Sequence, residues 1–394
     1  MISQLVLAPQ ETHDPLRQQI MRNRASKTAQ NIRDQEGILG VVLSGSTARG
    51  PVGASSDLDL HVLVSDKFTG NLPEWTFYGE GIIENLHTVY EDELFRGWNV
   101  RNKSDRLATW FYETKLGDEL NQFIPLWWNS TTQWRERLPT LVAYRQSPDV
   151  AQWVARCYME SARSNIIQAR NACHEGAPLD GHHHLRLAFQ ATLIAALIQR
   201  GWTIRGSKKR IEIAHAFLPD PAIESLLTIG FAIVGLKDMT ANQVTILCES
   251  RLKYRTTLLC ELRELKVRYA HDERIAHKLE QAIRLQEAHE AMAFDYYSPL
   301  VIENIILGPV NHIRCISGLT RVPELFISCL HKEKSWPIHK FIRLDLLSRT
   351  IRDTWLEIMA LESSPQRCVH LSSILSTAID DLTRKQPSKN FKLS

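Results

Sequence analysis

The sequence lacks paired cysteines. Its seven cysteines among 394 residues are odd in number and include no CxxC pair. Neither a disulfide framework nor a cysteine-rich zinc site is therefore predicted. The pattern is typical of reduced thiols, and we expect a cytoplasmic protein. The cysteines are scattered along the chain at Cys157, Cys173, Cys248, Cys260, Cys315, Cys329 and Cys368.

Hydrophobic runs long enough to cross a membrane are also lacking. The longest ones, residues 185–198 and 222–236, fall short of the ~20 apolar residues that a membrane span needs, and the second contains Glu224. Both predict buried helices. The N-terminal segment has neither a basic start nor an apolar stretch typical of a secretory signal, so we expect no export and no membrane partner.

There is little excess charge of either sign. Lys and Arg total 47 and Asp and Glu total 44, a formal charge of +3, which disfavours extended RNA binding because that depends on many basic side chains. One basic run, residues 205–210, is by default a solvated surface, and contact with a triphosphate, an anionic acceptor or RNA is the alternative. Three histidines at 182–184 point in different directions, so no shared metal site is predicted.

Length and periodicity indicate an α+β chain of two or three domains. A helix is predicted over residues 15–36, and strands over 38–43, 57–64, 81–90 and 107–114. Helical periodicity takes over from about residue 147, as in 156–172, 185–200 and 251–291. Breakers at Pro139 and Ser147-Pro148 place a boundary at 140–150. The predicted domains are 1–145, a helical domain at 146–240, and a helical C-terminal extension at 241–394.

The informative segment is residues 41–64, VVLSGSTARGPVGASSDLDLHVLV. An apolar strand leads into Ser44-Gly45-Ser46, and a loop then leads to a second strand. Gly45 lets the backbone approach an anionic group closely, while Ser46 and the free N–H groups of the turn can donate hydrogen bonds to phosphate oxygens. The segment therefore predicts a phosphate-binding turn between two strands.

Two carboxylates follow this turn. Asp57 and Asp59 project from one face of the strand, ~6.5–7 Å apart along it, and Leu58 and Leu60 point into the core. Like charges this close are costly unless a cation lies between them, and Mg²⁺ favours such oxygen ligands together with substrate phosphates. The alternative is a surface strand with two solvated aspartates, but the combination with Gly45-Ser46 favours a site that aligns an acceptor hydroxyl with an α-phosphorus.

The same residues resemble a known family. The pattern is similar to that of the DNA polymerase β-type nucleotidyltransferase superfamily, and most similar to its aminoglycoside and other small-molecule nucleotidyltransferases. The specific motif lies within residues 41–64, a looser match in element order reaches about residue 235, and the rest of the chain matches nothing we can name. The matching residues are Gly45-Ser46, Ala48-Arg49-Gly50 and Ser56-Asp57-Leu58-Asp59.

The resemblance implies a mixed sheet with flanking helices, two Mg²⁺ ions and a third carboxylate on a later strand. Our candidate for that third catalytic and metal-binding group, beside Asp57 and Asp59, is Glu84, and Glu80 is the fallback. The family usually has an acid between two apolar residues, whereas Asn85 follows Glu84 here.

The resemblance also assigns residues to the nucleotide and the acceptor. Ser44, Arg49 and Ser56 join Gly45 and Ser46 as the predicted nucleotide-binding group, although a structural role beside the carboxylate strand is favoured for Arg49. In small-molecule members a helical domain offers a glutamate as general base. Here the candidate is Glu160, and the alternative is a glutamate on a helix surface.

The sequence thus predicts a Mg²⁺-dependent enzyme that transfers a nucleoside monophosphate, AMP by default, from an NTP, with ATP as the default donor. The expected acceptor is a hydroxyl of a small molecule. A tRNA end or a protein side chain is the alternative acceptor, and an inactive nucleotide-sensing or interaction module is a further alternative. Because small-molecule members of the resembled family are often dimers, a homodimer is also an expectation.

Overall fold

A computed structural model describes much of the chain, and the description below is confined to that part. Within it the protein is α+β, with one sheet and helices on both of its faces. This confirms the predicted fold class. The described residues are 14–49, 52, 56–73, 75–78, 82–114, 116, 120, 122–201, 220–233, 259–271, 276, 279–280, 283 and 364–384.

In chain order the elements are α1 (Pro15–Ile32), β1 (Ile38–Leu43), α2 (Gly45–Arg49), β2 (Leu58–Val64), β3 (Trp75–Tyr78), β4 (Ile82–Tyr90), α3 (Glu91–Val100), α4 (Ser104–Thr114), β5 (Ile124–Trp128), α5 (Trp134–Arg145), α6 (Pro148–His174), α7 (Pro178–Gln199), α8 (Pro221–Ile233) and α9 (Pro365–Arg384). Residues 259–268 are also helical.

The described strands form a mixed five-stranded sheet in the order β3-β4-β2-β1-β5. Strands β2 and β4 are parallel, and the other neighbouring pairs are antiparallel. Successive side chains of a strand point to opposite faces, so β2 divides its residues between two environments. One set, Leu58, Leu60 and Val62, is fully buried.

Helix α1 covers the face of the sheet onto which these leucines point. Its start is fixed by Asp14, whose side chain accepts the backbone N–H of Arg17 at 2.9 Å, and by Pro15 in the first turn. The buried side chains of α1 recur at helical spacing and pack on this face of β1, β2 and β4. They are Met21, Ala25, Ala29 and Ile32.

The opposite face carries the larger core. Val42, Leu63 and Val89 begin an apolar cluster that continues through α3 to α9. Helices α6 and α7 pack along each other, and α9 contacts α6, α7 and α8. The predicted boundary at 140–150 falls between α5 and α6, and the three-domain division stays a prediction.

The prediction of a strand at 107–114 was wrong, because these residues lie in α4. The buried side chains are Leu107, Ala108, Trp110 and Phe111, which share one side of a helix. Their aromatic content suits a strand, but their spacing of one, three and four residues suits a helix. Packing of that side against α3 and α6 decides the outcome.

The other helical predictions agree with the structure where it can be compared. Residues 156–172 lie in α6, 185–199 lie in α7, and part of 251–291 is helical. Glu80 and the basic run 205–210 lie outside the described residues. No helix among the described residues is long and apolar enough to span a membrane.

Candidate active site

The candidate site lies where β1 ends and β2 begins. These strands are antiparallel neighbours, with Leu43 paired to Leu60, so the end of one meets the start of the other. The backbone N–H of Ser44 donates to the carbonyl oxygen of Asp59 at 2.9 Å. The turn at Gly45 is thereby held against the first residues of β2.

Gly45 is required at this turn for two separate reasons. Its φ of 67° lies in the left-handed region, which residues that carry a Cβ rarely adopt. A Cβ built on it would also overlap Oδ2 of Asp59. In the structure the group that Gly45 approaches closely is the carboxylate of Asp59, and its approach to a phosphate stays a prediction.

Helix α2 is anchored from both sides. Thr47 is fully buried, and its hydroxyl donates to the backbone carbonyl of Asp57 at 3.2 Å. From α1, Gln18 donates to the carbonyl oxygen of Thr47 at 3.2 Å, and Arg22 donates to those of Thr47 and Ala48 at 3.1 Å each. The sequence reasoning missed these groups. They satisfy carbonyls that a helix of five residues leaves without intrahelical partners.

The two predicted carboxylates converge on one side chain, Asn85 of β4. Its Nδ2 donates to Oδ1 of Asp59 at 2.9 Å and to Oδ2 of Asp57 at 3.3 Å. Burial raises the pKa of Asp59, but the hydrogen bonds from His87 and Asn85 and the charges of His87 and His61 outweigh it, so the pKa lies below its ordinary value. Asp59 is therefore an anion at neutral pH.

Glu84, the predicted third carboxylate, is not brought to this site. The strand register pairs Asp59 with Asn85 and Leu58 with Glu84, so Glu84 shares the α1 face with Leu58. It is 1% exposed, and its Oε2 accepts the hydroxyl of Thr28 of α1 at 2.8 Å. The prediction is corrected for a physical reason: neighbouring residues of a strand face opposite ways, so only one of these two can face Asp59.

Two histidines that were not predicted lie next to the carboxylates, on the same face of β2 and β4. The pair His61 and His87 follows the pair Asp59 and Asn85 along β2 and β4, and the imidazole rings stack at 4.8 Å. His61 is buried, whereas His87 is 42% exposed and places Nε2 3.7 Å from Oδ1 of Asp59. The signal was present in the sequence, because a period of two puts residue 61 beside 59 and residue 87 beside 85.

The predicted nucleotide-binding residues occupy different environments. Ser44 is buried, and its hydroxyl lies 3.1 Å from Nδ1 of His61, so it points inward. Ser56 is also buried, whereas Ser46 and Arg49 are half-buried at the two ends of α2. Of these residues, Gly45 lies against the Asp59 carboxylate, and both Gly45 and Ser46 keep part of their surface accessible.

Glu160, the predicted general base, lies on an exposed side of α6. Its charge, after the larger effect of burial, helps to raise the pKa of the Cys157 thiol one turn earlier. No hydrogen bond or ion pair joins Glu160 to either aspartate within the described part of the chain. Its role as the general base stays a prediction.

The site offers oxygen donors of the kind that a divalent cation prefers. Mg²⁺ is commonly held by one or two carboxylates together with phosphates and water, and Asp57 and Asp59 supply that pair. Among the described residues, no group of three or more His, Cys, Asp or Glu side chains is arranged to hold a metal ion. On β4 the position that faces Asp59 holds the amide of Asn85 and not the third carboxylate implied by the family resemblance.

Comparisons with known proteins add little. No family model matches the chain, and no curated protein matches it. Among solved structures it is similar to a nucleotidyltransferase-like protein from Exiguobacterium sibiricum, with 14% identity, a TM-score of 0.30, and coverage of 92% of this chain and 91% of that one. A similarity at this level does not establish a function.

Proposed function

We propose that the chain transfers a nucleoside monophosphate from a Mg²⁺-bound NTP to a hydroxyl of a small molecule and releases pyrophosphate. AMP is the default group and ATP the default donor. The observation that supports this most is the convergence of Asp57 and Asp59 on Asn85, directly against the Gly45 turn.

Each part of the site has a task in this proposal. Asp57 and Asp59 hold the divalent cation, which when bound neutralises the triphosphate and favours departure of pyrophosphate. Ser46 and the N–H groups of the turn donate to phosphate oxygens. The acceptor oxygen bonds to the α-phosphorus, the bond from that phosphorus to the β-phosphate bridging oxygen breaks, and the hydroxyl proton passes to a base. The proposal does not depend on Glu160 being that base.

The low net charge favours a small acceptor over RNA. The chain carries a formal charge of only +3, whereas extended RNA binding relies on many phosphate contacts by Lys and Arg. A tRNA end or a protein side chain remains the second candidate acceptor.

The test is a transfer assay with the full chain and Mg²⁺. ATP, GTP, CTP or UTP labelled at the α-phosphate is incubated with pools of hydroxyl-bearing small molecules, tRNA and protein, and labelled products are separated by size. We expect label on a small molecule together with release of pyrophosphate. Label found only on tRNA or protein would contradict the small-molecule acceptor, and nucleotide binding without any transfer would favour an inactive module.

Site variants connect that activity to the carboxylates. Asp57→Asn and Asp59→Asn should each lower transfer by about 100-fold or more, since each removes a ligand charge that acts on the reacting phosphate. Asp66→Asn is the matched control, because Asp66 is exposed just beyond the end of β2. Near-normal turnover in either site variant would refute the assignment.

A further inference from the structure

The position that faces Asp59 on the neighbouring strand holds a neutral amide. Asn85 is paired with Asp59 in the register of β2 and β4, and it contacts both carboxylates. Glu84, the acid adjacent to Asn85 in β4, lies on the other face with Thr28. His87 and His61, the titratable side chains of described residues that act on Asp59, can add only positive charge. The anionic charge contributed here by described side chains is therefore that of two carboxylates.

Asn85 is also incompletely satisfied. It is 8% exposed, and within the described part of the chain its Oδ1 has no hydrogen-bond partner. A buried carbonyl oxygen without a hydrogen-bond partner destabilises the fold. Rotation of the amide about its last side-chain bond exchanges the nitrogen and the oxygen, which would turn Oδ1 toward the carboxylates. Amide oxygens are ligands for hard cations, whereas the N–H₂ group is not.

We propose that Asp57, Asp59 and Asn85 hold a single divalent cation, with the Asn85 amide oxygen as a neutral ligand in place of a third carboxylate. Two carboxylates balance the charge of one such cation. A second would bring two more positive charges without a further anionic side chain at the site, so only the triphosphate could hold it. This cation site depends on the proposed nucleotidyl transfer in one respect: the phosphates that share the cation are those of the NTP.

The experiment counts Mn²⁺ ions bound to the full chain by equilibrium dialysis, with and without the non-hydrolysable analogue α,β-methylene ATP. The wild type should bind one ion per chain in both conditions. Asn85→Asp should bind two ions with the analogue, since it restores the third charge. Asn85→Ala should keep one ion with an affinity weaker by about ten-fold.

Two controls separate ligand loss from misfolding. Glu84→Gln should change neither the number of ions nor their affinity, because Glu84 lies on the α1 face. Asp59→Asn should abolish Mn²⁺ binding in the absence of nucleotide. Circular dichroism and urea unfolding establish that each variant is folded before its ions are counted.

Either none or two ions on the wild type would overturn the inference. So would one ion on Asn85→Asp with the analogue, or an unchanged affinity in Asn85→Ala. These results are distinct from those of the transfer assay. One bound ion without transfer to any acceptor would refute the proposed function alone, and two bound ions with transfer intact would refute the single-cation site alone.

Discussion

Glu84 and Asn85 are adjacent in the chain but have different surroundings. The amide faces the two aspartates, whereas the carboxylate accepts a hydrogen bond from Thr28 under α1. A strand reverses its side-chain direction at every residue, so a shift of one position exchanges the two faces. The identity of the third group at the site therefore depends on the register between β2 and β4.

Gly45→Ala is predicted to destabilise the fold and weaken ligand binding. The left-handed backbone of Gly45 costs an alanine about 1–2 kcal/mol, and the added Cβ would push against Oδ2 of Asp59. We expect the free energy of unfolding in urea to fall by more than that strain alone. Mn²⁺ affinity should fall by about ten-fold or more, because Asp59 must move.

Gly176→Ala provides the matched control. Gly176 also has a positive φ, 76°, but a Cβ there would meet nothing within 4 Å among the described residues. This variant should lose only the strain energy and should bind Mn²⁺ like the wild type. Equal losses of stability and unchanged Mn²⁺ binding in both variants would contradict the overlap with Asp59.

At the level of elements, Asp220 joins two helices. Its Oδ1 accepts the backbone N–H groups of Ala222 and Ile223 at the start of α8, at 2.9 and 3.4 Å. Its Oδ2 pairs with Arg200, at the end of α7, at 2.6 Å. Burial raises the pKa of Asp220, but the hydrogen bonds and charge of Arg200 and the backbone N–H groups outweigh it and lower that pKa.

Asp220→Ala should therefore lower the free energy of unfolding by about 1–2 kcal/mol, since it removes a helix cap and an ion pair. Asp220→Asn keeps an acceptor for the cap and loses the charge, so its loss should be under about 1 kcal/mol. Urea denaturation measures both values. An equal loss in the two variants would mean that the ion pair, and not the cap, provides the stabilisation.

Helix α9 is distant in the sequence from α6, α7 and α8, against which it packs. Leu375 is fully buried among α6, α7 and α8, whereas its neighbour Ile374 is 37% exposed. Leu375→Ala should lower the free energy of unfolding by about 2–5 kcal/mol, and Ile374→Ala by less than about 1 kcal/mol. Hydrogen exchange should show lost protection in α9 for the first variant. Similar small losses in both would contradict the docking of α9 through Leu375.

The sequence predicted those elements whose patterns are local. Helices at 156–172 and 185–199 and strands at 38–43, 58–64 and 82–90 follow from periodicity and breakers. The error at 107–114 arose where residue preference and spacing disagreed. Trp110 and Phe111 favour strands, yet their side chains complete a helical apolar side that α3 and α6 bury.

At the scale of the whole molecule, buried histidines make stability depend on pH. His182 on α7 is 1% exposed, and burial together with the charges of Arg186 and Arg367 lowers its pKa to about 4. Its unfolded-state pKa is about 6.5. Between these values the unfolded chain binds a proton that the folded chain does not, so stability is fullest above pH 6.5 and falls as the pH decreases toward 4.

His182→Gln should make the free energy of unfolding less dependent on pH. The free energy of unfolding of the wild type, measured in urea from pH 7.5 to 4, should lose on the order of 3 kcal/mol through His182, and the variant should lose correspondingly less. His174→Gln, at an exposed position near the end of α6, should retain the wild-type dependence. An unchanged slope in His182→Gln would refute the role of this histidine.

The sequence by itself determined the α+β class, the Gly45-Ser46 turn and the aspartates on β2, because each depends on residues within one short segment. The tertiary structure decided that Asn85 and His87 face those aspartates and that Glu84 lies under α1. Those outcomes depend on the pairing of strands distant in the chain and on which face each helix covers. No local pattern contains that information.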